Sequence, residues 1–175
     1  EENLHLDKKT LVILRWIAIT GQLIAVNLVY HYLNLKFPIV ESHIIIFVGL
    51  LTNLFLQFRI KINQLKDIYS ALFLTYDVIQ LSVLLYLTGG ITNPFSLLLI
   101  VPAIVSSTFL SMGTTIILGG ITILSLFILT IFHFPLPGTI DNLFSFPSFY
   151  LIGILISILV GLIFLSYFGI RFAGE

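Results

Sequence analysis

The sequence predicts an all-α fold, a polytopic membrane helix bundle of six transmembrane helices with both termini in the cytoplasm. Three observations predict it. Apolar residues make up 58% of the 175-residue chain and charged residues only 9%, against roughly 25% charged in soluble domains. The few charges gather at the head, around residues 59–67 and at the last positions, leaving long apolar runs between them. Those runs are apolar on all faces, without the alternation of barrel strands, and several approach the roughly 20 residues a spanning helix needs.

The first run, 11–33, is too long for a signal-peptide core, contains Arg15 and meets no small-residue cleavage site, so it reads as a retained helix. The second run, 42–57, is short. The third covers 68–88, the fourth, also short, 95–112, the fifth 114–132 and the sixth 147–168. Pro102 is expected to kink the fourth helix beside Ser106 and Ser107. Orientation follows from the basic residues of the short loops. Lys8 and Lys9 precede the first helix, Arg59, Lys61 and Lys66 lie between the second and third, and Arg171 follows the sixth; the opposite side keeps only Lys36. That bias places residues 1–10 in the cytoplasm as a terminal segment, 11–168 in the membrane, and 169–175 at the start of a cytoplasmic linker. The chain begins at Glu1 and stops at Glu175 soon after a helix, and is expected to be a fragment of a longer protein.

Several function classes are excluded early. A net charge of zero offers no basic face for nucleic acid. The absence of cysteine removes disulfides, thiolate metal sites and thiol redox chemistry from this segment. His31, His43 and His133 all map to the outer side, but their spacing matches no metal-ligand pattern, so no metal site is assigned.

Two groups of residues can carry chemistry. The first is an intramembrane polar set of Arg15, Gln22, Asp77 and Gln80. An acid in hydrocarbon costs about 2.5–3.5 kcal/mol, so Asp77 should face the bundle interior with a partner. Counted from the ends of the apolar runs, Asp77 lies roughly 13 Å deep, Gln22 about 16 Å and Arg15 only ~6 Å. Depth therefore favours Gln22 as the partner, in a buried interhelical hydrogen bond rather than a proton relay. The second group is the outer loop Gly-Gly-Ile-Thr-Asn-Pro-Phe, residues 89–95. Gly89 and Gly90 permit close backbone approach, Asn93 brings an amide, Pro94 rigidifies the turn and Phe95 offers an aromatic face. Donors beside an aromatic surface at membrane depth suit a quinone ring. On local chemistry alone, Gly-Gly and Asn-Pro are also ordinary hairpin punctuation.

Residues 84–99, Leu-Leu-Tyr-Leu-Thr-Gly-Gly-Ile-Thr-Asn-Pro-Phe-Ser-Leu-Leu-Leu, resemble the heptapeptide region of the RegB/PrrB family of redox-responsive sensor histidine kinases. All five fixed positions of that family's GGxxNPF pattern are present as Gly89, Gly90, Asn93, Pro94 and Phe95. Asp77, Gln80 and the run from Leu14 to Gln22 also resemble the family's helices, so the likeness covers most of the chain. The resemblance implies a six-helix input domain in the bacterial cytoplasmic membrane that reads the ubiquinone/ubiquinol pool through the heptapeptide. It implies a kinase, with its redox cysteine, phosphorylated histidine and ATP and Mg sites, downstream of residue 175, and a cytoplasmic response regulator as partner. No catalytic residue is assigned within these 175 positions, and His5, outside any kinase box, is no phosphoacceptor.

Gly153, Ser157 and Gly161 form a small-residue ladder every four positions along the sixth helix. Such ladders permit close packing, within one subunit or across a homodimer seam. Besides a sensory domain, the sequence leaves open a small proton- or cation-coupled transporter or channel using Asp77, and a purely structural membrane anchor. A transporter more usually shows internal repeats and paired broken helices, which this sequence lacks.

Overall fold

In the computed structural model the described residues are 6–138, Phe146 and 148–173, the last stretch in part by backbone alone. Six helices follow in order: α1 (Lys8–Asn27), α2 (Ile39–Arg59), α3 (Asp67–Leu87), α4 (Ile100–Phe109), α5 (Met112–Ile131) and α6 (Ser148–Ala173). A π-turn, Leu28–Tyr32, extends α1, and two 3-10 segments, Gly90–Thr92 and Pro94–Leu99, connect α3 to α4. Helices α1 (with its π-turn), α2, α3 and α5 are each long and apolar enough to cross a bilayer. The fourth crossing is composite. Six 3-10 residues at 2.0 Å and ten α-helical residues at 1.5 Å span about 27 Å, close to the ~30 Å hydrocarbon thickness.

The helix ends correct the sequence-based boundaries in several places: α1 starts at Lys8 rather than 11, and α6 continues to Ala173, into the stretch expected as a linker. The second helix reaches Ile39–Arg59 rather than 42–57, because Glu41 in the first turn and Arg59 in the last suit the helix dipole and remain helical beyond the apolar run. The fourth element is not one kinked α-helix from 95 to 112. Pro102 has no N–H to donate and its ring crowds the carbonyl of Leu98, so the turns before it tighten into 3-10 geometry, and Pro94 opens them at the first position. At the far end, Ser111 caps α5, its Oγ accepting from the Thr114 amide. Asp67 Oδ2 accepts from the Ser111 amide at 2.9 Å and ties the start of α3 to the α4–α5 turn.

The bundle interior is mainly apolar, with Leu11, Leu56, Val78, Leu85 and Leu126 buried, but it also takes in small polar side chains, while the outer surface is rich in large apolar ones. Ser42, Asn53, Ser70, Ser106, Thr115 and Thr122 are buried, while Ile17, Phe47, Phe58, Ile117 and Leu124 are exposed. Hydrocarbon tails solvate such a surface, and close packing with interhelical hydrogen bonds holds the helices together. The Ser106 and Thr115 hydroxyls bond at 3.0 Å between α4 and α5. Asn53 Nδ2 donates to the Val12 carbonyl, joining α2 to α1. Helix α1 packs chiefly on α2, α3 on α5, and α4 on α6. The chain head is anchored too: the Lys8 amide donates to Asn63 O at 2.9 Å and Lys8 Nζ to Ile60 O at 2.6 Å, both in the α2–α3 turn.

Candidate functional site

The intramembrane polar residues meet, but not as their sequence depths suggest. Arg15 Nε donates to Asp77 Oδ1 at 2.9 Å, an ion pair between α1 and α3, and Arg15 Nη2 donates to Thr52 Oγ1 on α2 at 2.7 Å. Gln22 pairs with Gln80 instead: each amide nitrogen donates to the other's oxygen, at 3.2 and 2.8 Å. The partner expected for Asp77, Gln22, is therefore corrected to Arg15. Helix α1 begins at Lys8, three residues before the apolar run, which puts Arg15 about 10 Å along its helix and Asp77 about 15 Å along the parallel α3. The long arginine stem covers the difference. The guanidinium is 4% exposed and stacks over the rings of Phe73 and Tyr76, at 5.2 and 5.4 Å.

The outer loop is a built structure. Gly89 (φ 113) and Gly90 (φ 56) both take left-handed backbone angles. Behind them the chain leaves no room for a side chain: a Cβ on Gly89 would meet Leu136 Cα at 2.9 Å, and one on Gly90 would meet Leu129 O at 2.5 Å. The Gly-Gly step thus lets the loop lie on the end of α5 and the segment after it. The Phe134 amide donates to Tyr86 O at 2.8 Å and fixes that contact.

Asn93 holds the loop together. Its Nδ2 donates to the carbonyl and the hydroxyl of Thr88, at 3.0 and 2.9 Å, and its Oδ1 accepts from the Phe95 amide at 2.9 Å. The side chain caps the Pro94–Leu99 segment with both ends of its amide engaged. Ile91 is buried beneath the loop, and Pro94 and Phe95 are exposed.

A cleft of about 830 Å³ joins these two groups. One wall is α1 with its π-turn, from Arg15 through Gln22 to Val29; the other is α3, Pro94–Phe95 and the start of α4. Exposed residues line it on both sides, Ile17 and Ile24 on α1 and Pro94 and Phe95 opposite, and Arg15, Asp77, Gln22 and Gln80 are its main polar lining. The pattern of apolar walls with a few convergent polar groups is that of a small-molecule site.

Of the small-residue ladder, the side-chain positions of Gly153 and Ser157 lie outside the described residues. Gly161 faces α4, where an added Cβ would stand 3.4 Å from Ile100 Cδ1. The outer histidines have separate neighbours. His43 Nε2 lies 3.2 Å from Asn27 Nδ2, His133 stands behind Gly90, and His31 meets the edge of Tyr30. Thr52, Thr88, Leu129 and Leu136 were not singled out in sequence. Thr88 alone carried a local signal, since it directly precedes the glycine pair.

Comparison with known proteins agrees with the helix pattern. The sensor histidine kinase RegB of Cereibacter sphaeroides is 35% identical over 168 residues, covering 95% of this chain and 36% of that protein. The chain thus spans about a third of the length of that relative. No solved structure is significantly similar to it. The family model described as the PilS-like transmembrane domain, a six-helix membrane domain, matches residues 9–169, and the chain belongs to that family.

Proposed function

We propose that this chain is the membrane-embedded input domain of a redox-responsive sensor histidine kinase, and that it binds ubiquinone or ubiquinol in the cleft between α1 and the α3–α4 wall. The observation that carries the reading is the cleft itself, which is lined both by Asn93, Pro94 and Phe95 and by the glutamine and arginine groups between α1 and α3. The named activity of the RegB relative supports the signalling context. A planar quinone offers two carbonyl acceptors. Asn93 has its amide committed within the loop, so donation falls to the second N–H groups of Gln22 and Gln80 and to Arg15. Phe95 supplies the aromatic face, and the apolar walls take the isoprenoid tail.

Signalling needs no catalysis here, only a ligand whose affinity differs between two bundle arrangements. Helix α1 rests on α2 and reaches α3 across the cleft through Arg15–Asp77 and Gln22–Gln80. Occupancy of the cleft sets that separation, and α6 carries the change to a cytoplasmic kinase that acts with a response regulator. A cation-coupled transporter using Asp77 gains no support, since the carboxylate is neutralised by Arg15.

The test is quinone retained by the intact protein purified in lipid nanodiscs. Phe95→Ala is expected to lower affinity by up to about tenfold, the worth of one aromatic contact, with unchanged thermal stability. Gln22→Leu with Gln80→Leu removes both amides without orphaning either, and is expected to weaken binding further. Quinone affinity equal to wild type in both variants would overturn the site.

The orientation belongs to the same proposal: the domain lies in the bacterial cytoplasmic membrane with both termini inside. Cysteines placed at Lys36 and Asn63, both exposed, are expected to label from opposite sides of intact cells, 36 from outside and 63 only after permeabilisation. Equal labelling of both would contradict it.

A further inference from the structure

A second crevice, of about 560 Å³, lies between the ends of α2 and α3 on the side of their connecting turn. Its walls are apolar, with Phe55 one helical turn before Arg59 on α2, and Leu72 and Phe73 about 8 Å into α3. Its rim carries Arg59, Lys61 and Lys66. None of the three is paired with an acid among the described residues, where the ion pair is Arg15–Asp77. Asp67, the nearest acid in sequence, accepts from the Ser111 amide.

Where a crevice with aromatic and aliphatic walls meets hydrocarbon, an acyl chain fills its apolar part. What the protein can choose is the headgroup. We infer that this crevice is a binding site for an anionic phospholipid, with an acyl chain against Phe55, Leu72 and Phe73 and the phosphate among Arg59, Lys61 and Lys66. The three cations line one crevice from the end of α2 to the start of α3, and none is ion-paired among the described residues, although Asp7 is bridged through its backbone to Gln64 of the same turn. A zwitterionic headgroup brings its own cation into that cluster; an anionic one does not. The turn that holds these cations also receives the Lys8 bonds from the head of α1, so the lipid contacts a segment linking α1 to α3. The crevice shares no lining residue with the cleft, although Thr52, Phe73 and Tyr76 on its wall also contact Arg15, and the proposal does not depend on what the cleft binds.

The experiment compares spin-labelled phosphatidylglycerol with spin-labelled phosphatidylcholine on the intact protein in nanodiscs, reading the motionally restricted fraction by electron paramagnetic resonance. Wild type is expected to prefer phosphatidylglycerol, and the preference is expected to fall with added salt. Neutralisation by R59Q, K61Q and K66Q is expected to cost roughly fivefold in relative affinity per charge. The charge-preserving set R59K, K61R and K66R keeps the topology signal and is expected to keep the preference. Leu72→Trp fills the crevice with all charges in place and is expected to abolish it. Equal restriction of the two lipids by wild type would overturn the site. So would a preference that survives Leu72→Trp or the neutral set, or displacement of the lipid by millimolar inorganic phosphate.

Discussion

Asp77→Leu is expected to be among the most damaging single substitutions in the bundle, costing about 3–5 kcal/mol of stability. The loss comes from the partner. Arg15 is 4% exposed and its Nε donates to Asp77 Oδ1, so removal of the carboxylate strands a buried guanidinium. Asp77→Asn keeps an acceptor for Arg15 and is expected to cost much less. The double variant Arg15→Leu with Asp77→Leu is expected to recover most of the loss, because two apolar side chains leave no orphaned charge. The measurement is thermal unfolding of the purified protein in one detergent for the four forms. A single Leu variant as stable as wild type, or a double variant no better than the single, would show that the pair does not hold α1 to α3.

Gly90→Val is the second large effect expected. At φ 56 a side chain costs about 1–2 kcal/mol from backbone sterics alone. The Cβ would also stand 2.5 Å from the Leu129 carbonyl oxygen, a backbone atom with little freedom to retreat. The loop must then lift off the end of α5, carrying Asn93 and Phe95 with it, so quinone binding and thermal stability are expected to fall together. Gly119→Ala is the matched control. It lies mid-helix in α5 with nothing within 4 Å of the added atom, and is expected to be neutral or to gain up to about 1 kcal/mol. Equal stability of the Gly90 and Gly119 variants would contradict the packing of the loop on α5.

Much of this architecture was legible in the apolar runs, since a stretch such as 114–132 has no state in water that suits it. The heptapeptide was legible too, as a pattern. Other features depend on tertiary geometry. Arg15 looked too shallow for Asp77 because its helix starts at Lys8, three residues before the apolar run, where no hydropathy signal marks it. Asn93 looked like a ligand donor, but its amide closes the loop on Thr88 and the Phe95 amide. The same chemistry serves both roles, and only the neighbours decide. The change from 3-10 to α geometry before Pro102 was legible only as a kink, because a missing N–H says where the ladder fails and not how the preceding turn compensates. The cleft had no linear signal, as it exists only because α1 packs on α2 and leaves its other flank open toward α3 and α4.

The central claim, that a quinone occupies this cleft, is tested most directly by a photoreactive ubiquinone analogue cross-linked to the intact protein and mapped by mass spectrometry. Adducts are expected on α1 between residues 17 and 29 and on the segment 93–102, with competition by unlabelled ubiquinone and weakening in Gln22→Leu with Gln80→Leu. Adducts confined to lipid-facing positions such as Phe47 on α2 or Ile117 on α5, unaffected by competitor, would contradict the account.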